Sequence, residues 1–107
     1  MSVHLDDEAA MEHTVLTDVL GPHAKVKLLT ALLSENNRDR NATEIARLAG
    51  IDRSTFYDHI DDLLAYDLVV ETRQVGNSQM YRINRDSDAA EALAKFEWEL
   101  LDSLDEQ

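Results

Sequence analysis

Between Thr43 and Tyr66 the chain reads TEIARLAGIDRSTFYDHIDDLLAY, and its hydrogen-bonding side chains recur at helical spacing. At about 100° per residue, Ser54, Tyr57, Asp58 and Asp61 share one side of a helix, while Phe56, Ile60, Leu63 and Leu64 share the other. A two-helix unit with one buried face and one polar, side-chain-rich face is what a helix-turn-helix needs to enter a DNA groove. Reaction chemistry has no comparable signature. The sequence offers no glycine-rich phosphate loop, no nucleophile motif and no triad, and its 22 carboxylates single out no catalytic pair. An enzyme is therefore not expected. His4, His13, His23 and His59 show no ligand spacing such as His-x-x-x-His, and cysteine is absent. Neither a metal site, a disulfide framework nor any cofactor is expected. Asn41-Ala42-Thr43 matches a glycosylation acceptor but, without a secretion signal, reads better as a helix start.

The elements that must position this face follow from periodicity. Within 43–66, Thr43 is the expected cap of a first helix, Gly50 its stop, and Asp52 the cap of a second helix. Upstream, Met11, Val15, Leu16 and Val19 predict an N-terminal helix over 8–20, broken by Gly21-Pro22. Val26, Leu28, Leu29, Leu32 and Leu33 predict a well-buried core helix over 22–34, with Pro22 in its first turn. Residues 35–41 read as a polar loop. After Tyr66 the period changes to two. Residues 68–73 and 79–83 predict paired strands joined through Gly76-Asn77, with Leu68, Val70, Tyr81 and Ile83 facing inward.

A final helix is predicted over 88–104, opened by Asp88 and Glu91 as a capping box. Its apolar residues cover roughly 200° of arc, twice what packing on one side needs. Burying both faces calls for a second subunit. Phe96, Trp98, Leu100, Leu101 and Leu104 are the expected dimer seam, helped by Met11 and Val15.

At 107 residues the chain fits one domain, 44% hydrophobic and without long flexible linkers. No apolar run approaches the roughly 18 residues needed to span a membrane, and no signal segment opens the chain; a cytoplasmic protein is expected. The net charge of −12 is the wrong sign for a nucleic-acid binder. Its distribution softens the conflict: residues 38–85 carry eight acids and all seven arginines, and the excess lies in the flanks. Three lysines against 22 acids, with 13 aspartates to nine glutamates, is the bias of salt-loving archaea. Asp58, Asp61 and Asp62 repel one another near a helix C-terminus. They are either a salt-screened surface, acceptors for cytosine amino groups, or holders of K+ or other cations shared with DNA phosphates.

From Leu20 to about Ala94, some 70% of the chain, the segments LGPHAKVKLLTALL, ATEIARLAGIDRSTFYDHIDDL and LVVETRQVGNSQMYRIN resemble the winged helix-turn-helix transcriptional regulators of prokaryotes, the MarR, ArsR and PadR-like group. The resemblance implies a mainly α fold with a small β-hairpin, a winged helix-turn-helix with added N- and C-terminal helices. It implies a homodimer bound to double-stranded DNA, with 53–65 as recognition helix. Arg53, Ser54, Thr55 and Tyr57 would then meet bases or phosphates, Thr43 would approach a phosphate, and Arg73, Gln74, Asn77, Ser78 and Gln79 would form the wing. Asp58 departs from the pattern, standing where a basic or neutral residue is more usual, and Asp67 stands where the family often has glycine. Winged helices also serve as protein-interaction modules, which is the alternative function.

Overall fold

Phe56 has no exposed surface, and side chains from its own helix and five further elements join it in one core. The computed structural model describes residues 13–36 and 38–105. In chain order they form α1 (Val15–Leu20), α2 (Ala24–Glu35), β1 (Arg40–Asn41), α3 (Ala42–Ala49), α4 (Arg53–Ala65), β2 (Val69–Val75), β3 (Ser78–Ile83) and α5 (Asp88–Asp105). This is the expected class, a helix-rich fold in which a β-hairpin wing follows a helix-turn-helix.

The helix-turn-helix is built by its caps and its apolar spacing. Gly50 ends α3 in the left-handed region at φ 75°, ψ 33°, where a Cβ would be penalised. Asp52 starts α4 by accepting from the Thr55 N–H at 2.9 Å. Phe56, Ile60 and Leu63 then bury one side of α4 against Leu28 and Leu32 of α2 and Ile45 and Ala46 of α3. Full burial of each such side chain stabilises by about 1.5–3 kcal/mol. Asp67 takes the left-handed conformation at φ 60° where α4 hands over to β2. Its carbonyl accepts from the Asn84 side chain at 2.9 Å, which ties the end of the hairpin to its beginning.

Several local expectations are corrected. Asn41, two residues before Thr43, is the cap of α3: its side chain accepts from the Glu44 N–H at 2.8 Å while Glu44 accepts from the Asn41 N–H at 3.1 Å. Thr43 is inside the first turn. Of the predicted 8–20 helix, the described part begins only at Val15, because Thr14 and Thr17 form a reciprocal cap; residues 8–12, with Met11, lie outside the described residues. His23, not Pro22, occupies the cap position of α2, so Pro22 precedes that helix. Ser87 heads α5 instead of Asp88, its hydroxyl accepting from the Ala90 N–H at 3.1 Å.

The polar loop contains a strand. Arg40-Asn41 pairs antiparallel with Tyr81 and Met80, giving a three-stranded sheet of order β1-β3-β2. The wing strands run further than predicted, to a two-residue turn at Gly76-Asn77, with Gly76 at φ 61°. Tyr81 and Ile83 of β3 face inward as predicted, but the parity of β2 is shifted by one. Val69 is buried opposite Ile83 and shares its face with Tyr81, whereas Leu68 and Val70 are half-buried.

Candidate nucleic-acid interface

Three elements converge at one end of the helix-turn-helix. The head of α3 supplies Asn41, Ala42 and Thr43; the start of α4 supplies Arg53 and Tyr57; the wing turn supplies Asn77, Ser78 and Gln79. They enclose a pocket of about 140 Å³ whose lining is almost wholly polar. β1 brings this about, because pairing with β3 brings the residue that caps α3 up to the hairpin.

The donors in this pocket suit an oxyanion. The N–H groups of Ala42 and Thr43 precede the first intrahelical hydrogen bond, and a helix start carries partial positive charge. Tyr57, 48% exposed as a residue, contributes a hydroxyl, and its ring sits edge-on to Phe56 with centroids 5.2 Å apart. Phe56 in turn meets Tyr81 at 5.3 Å, so the buried core orients the exposed ring. The Arg53 guanidinium carbon lies 5.9 Å from the centre of the Tyr57 ring, a cation–π arrangement that limits where the guanidinium can go. Gln79 donates its amide N–H to the carbonyls of Arg73 and Met80, both at 3.1 Å, which holds that side chain against the hairpin.

Six of the eleven candidate DNA-contacting residues thus share one pocket: Thr43, Arg53, Tyr57, Asn77, Ser78 and Gln79. The other five lie outside it. Ser54 is exposed and donates to the Asp52 carboxylate at 3.0 Å, and the Thr55 N–H is engaged by the same carboxylate. Hydrogen bonds from Thr55 and then Ser54 hold the Asp52 carboxyl below its ordinary pKa. Asp58 is exposed on the following turn, and Gln74 is exposed on β2 opposite Gln79. Arg73 is exposed but paired: its Nε and Nη2 donate to the two Asp39 carboxylate oxygens at 2.9 and 3.2 Å. Thr72 donates to the same carboxylate. The Arg73 and Thr72 hydrogen bonds lower the Asp39 pKa from 3.8 to about 2.

Two residues of this region escaped the sequence reading. Asn41 was visible in the Asn-x-x-Glu spacing of a capping box. Asp39 had no local signal, since its partners lie 33 and 34 residues away. The acidic trio on α4 is divided. Asp62 is paired with Lys25 of α2 at 2.7 Å, which lowers its pKa, while Asp58 and Asp61 are exposed. Among the described residues no group of three or more His, Cys, Asp or Glu side chains is placed to hold a metal ion. Nor does any described helix have the length and apolarity to cross a membrane.

A second surface lies on α1 and α5. Of the 18 residues of α5 only Ala90 is buried. Phe96, Trp98, Leu101 and Leu104 are 40%, 63%, 47% and 56% exposed. Leu100 is half-buried, and with Leu104, Val15 and Val19 it lines an apolar groove of about 160 Å³ between the two helices. No family model, no curated protein and no solved structure matches the chain.

Proposed function

We propose that the chain is a sequence-specific, DNA-binding transcription regulator of the winged helix-turn-helix type, working as a homodimer in the salt-rich cytoplasm of an archaeon. The observation that carries this reading is the convergence of Thr43, Arg53, Tyr57, Asn77, Ser78 and Gln79 on a single polar pocket. A DNA phosphate fits that chemistry, seated on the first N–H groups of α3 and gripped by Arg53. The exposed face of α4 would then lie in the major groove, with the wing turn along the flanking backbone. Two copies joined along α1 and α5 would read a palindromic or near-palindromic site. Val15, Phe96, Trp98, Leu100, Leu101 and Leu104 are the seam.

High salt reconciles the acidic charge with this role. Each phosphate neutralised by a protein cation contributes about −0.9 to the slope of log affinity against log salt. With Arg53 the one cation lining the pocket and Arg73 held by Asp39, little affinity is at stake as salt rises. Asp58 and Asp61 can hold K+ or other cations against neighbouring phosphates, which would strengthen binding with salt. The test is a mobility-shift series with genomic fragments across KCl concentrations up to molar. A fragment-selective shift that persists at molar KCl is expected; a steep loss with salt removes the cation-bridged interface. One observation favours a second reading, a protein-interaction module: Asp58 and Asp61 leave the exposed side of α4 acidic, which suits a basic protein. Absence of any selective shift at every salt concentration would support that alternative.

A further inference from the structure

A cleft of about 180 Å³ opens where the end of α2, the end of β3 and the first half of α5 meet, sharing no residue with the polar pocket. The space exists because Ala90 and Ala94, one turn apart on α5, present only methyl groups toward it. Leu33 and Ile83 complete an apolar lining, and Glu91, Glu97, Arg85, Asn36 and Asn84 supply the polar groups.

The charges around the cleft are unequal. Glu97 is half-buried and makes no hydrogen bond or ion pair with any described residue. Burial alone pushes its pKa upward. Glu91 adds a second carboxylate, and the C-terminal end of α2 adds the partial negative charge of its last carbonyls. Against these stands one guanidinium, that of Arg85, whose Nη1 donates to the neutral Asn36 Oδ1 at 3.1 Å and so keeps its charge. Two carboxylates and a helix C-terminus outweigh the one guanidinium, so the cleft disfavours an anion. A cation with a short apolar body satisfies both the charge and the lining.

We propose that this cleft is a binding site for a small organic ammonium ion, with its head between Glu97 and Glu91 and its hydrocarbon part on Leu33, Ile83, Ala90 and Ala94. Such a ligand would touch α5, which carries the uncovered apolar face, and β3, which carries the wing. It is therefore placed to link the two, although its binding does not depend on the chain's acting on DNA.

The experiment is an NMR titration of the full chain, in molar KCl, with 3-methylbutylammonium and separately with 3-methylbutanoate. The ammonium is expected to give saturable shifts confined to residues around the cleft, and the carboxylate none. Glu97→Gln should weaken the ammonium at least about tenfold, and Ala94→Leu, which fills the space, should abolish binding. Equal response to the carboxylate, unsaturable shifts spread over the acidic surface, or unchanged affinity in Glu97→Gln would each overturn the proposal. Should Ala94→Leu fail to fold, the Glu97→Gln comparison decides alone.

Discussion

The helices α4 and α5 have similar apolar endowments and opposite fates. Over 13 residues α4 buries Phe56, Ile60 and Leu63 almost completely, and its remaining side chains are polar or charged apart from a few at the margins. Over 18 residues α5 buries one alanine, and its large apolar side chains stay at least partly open. The difference lies in what each helix faces. Packed between α2, α3 and the sheet, α4 has neighbours around its apolar side, whereas among the described residues α5 has α1 alone along its outer half. Apolarity in α4 is thus covered by the folded chain, and in α5 much of it stays uncovered by the described residues.

That contrast can be broken by substitution. The largest effect is expected from Phe56→Ala, which should cost about 3–5 kcal/mol in chemical denaturation because the cavity lies where nothing can collapse into it. Trp98→Ala, on the open helix, should change the stability of the monomer by less than about 0.5 kcal/mol. Equal losses would mean that α5 is packed far better than its exposure implies. Next in size, Leu100→Asp together with Leu104→Asp should turn dimers into monomers in sedimentation while leaving circular dichroism unchanged; a persistent dimer refutes the seam. On the polar side, Arg53→Ala should weaken DNA binding about uniformly across sequences and reduce the salt slope by about 1, as loss of a phosphate contact does; a loss confined to one sequence would place the guanidinium at a base instead.

The smallest effect concerns the wing and is sharpened by pH. Asp39 has a folded pKa of about 2 against an ordinary 3.8, so the folded chain takes up its proton less readily than the unfolded chain. The stabilisation from its bonds to Arg73 and Thr72 is therefore complete above 3.8 and lost as the pH falls through about 2. The side-chain carboxyl signal of Asp39 in a carbon-detected NMR titration should accordingly move near pH 2. A midpoint near 3.8 would show that the contact with Arg73 does not persist in solution.

What could be read from the residues was what local chemistry decides. Gly50 as a stop and Asp52 as a cap depend on neighbours within a few positions, and the stripe on α4 depends on spacing alone. Where the outcome rests on distant partners, the reading slipped. β1 has two residues, too few to show any period, and exists only through its pairing with Tyr81 and Met80. Leu68-Val69-Val70 are all apolar, so no alternation decides which one points inward; the register against Ile83 does. The candidate interface was half legible: its donors were named, but their gathering into one pocket depends on β1, and the retention of Arg73 on Asp39, 34 residues away.

Asn41 is the last residue of β1 and also the cap of α3, so no linker separates the sheet from the helix-turn-helix. A joint without a spare residue has no hinge. A displacement of the wing sheet would therefore reach α3 through Asn41 itself, the residue the two share.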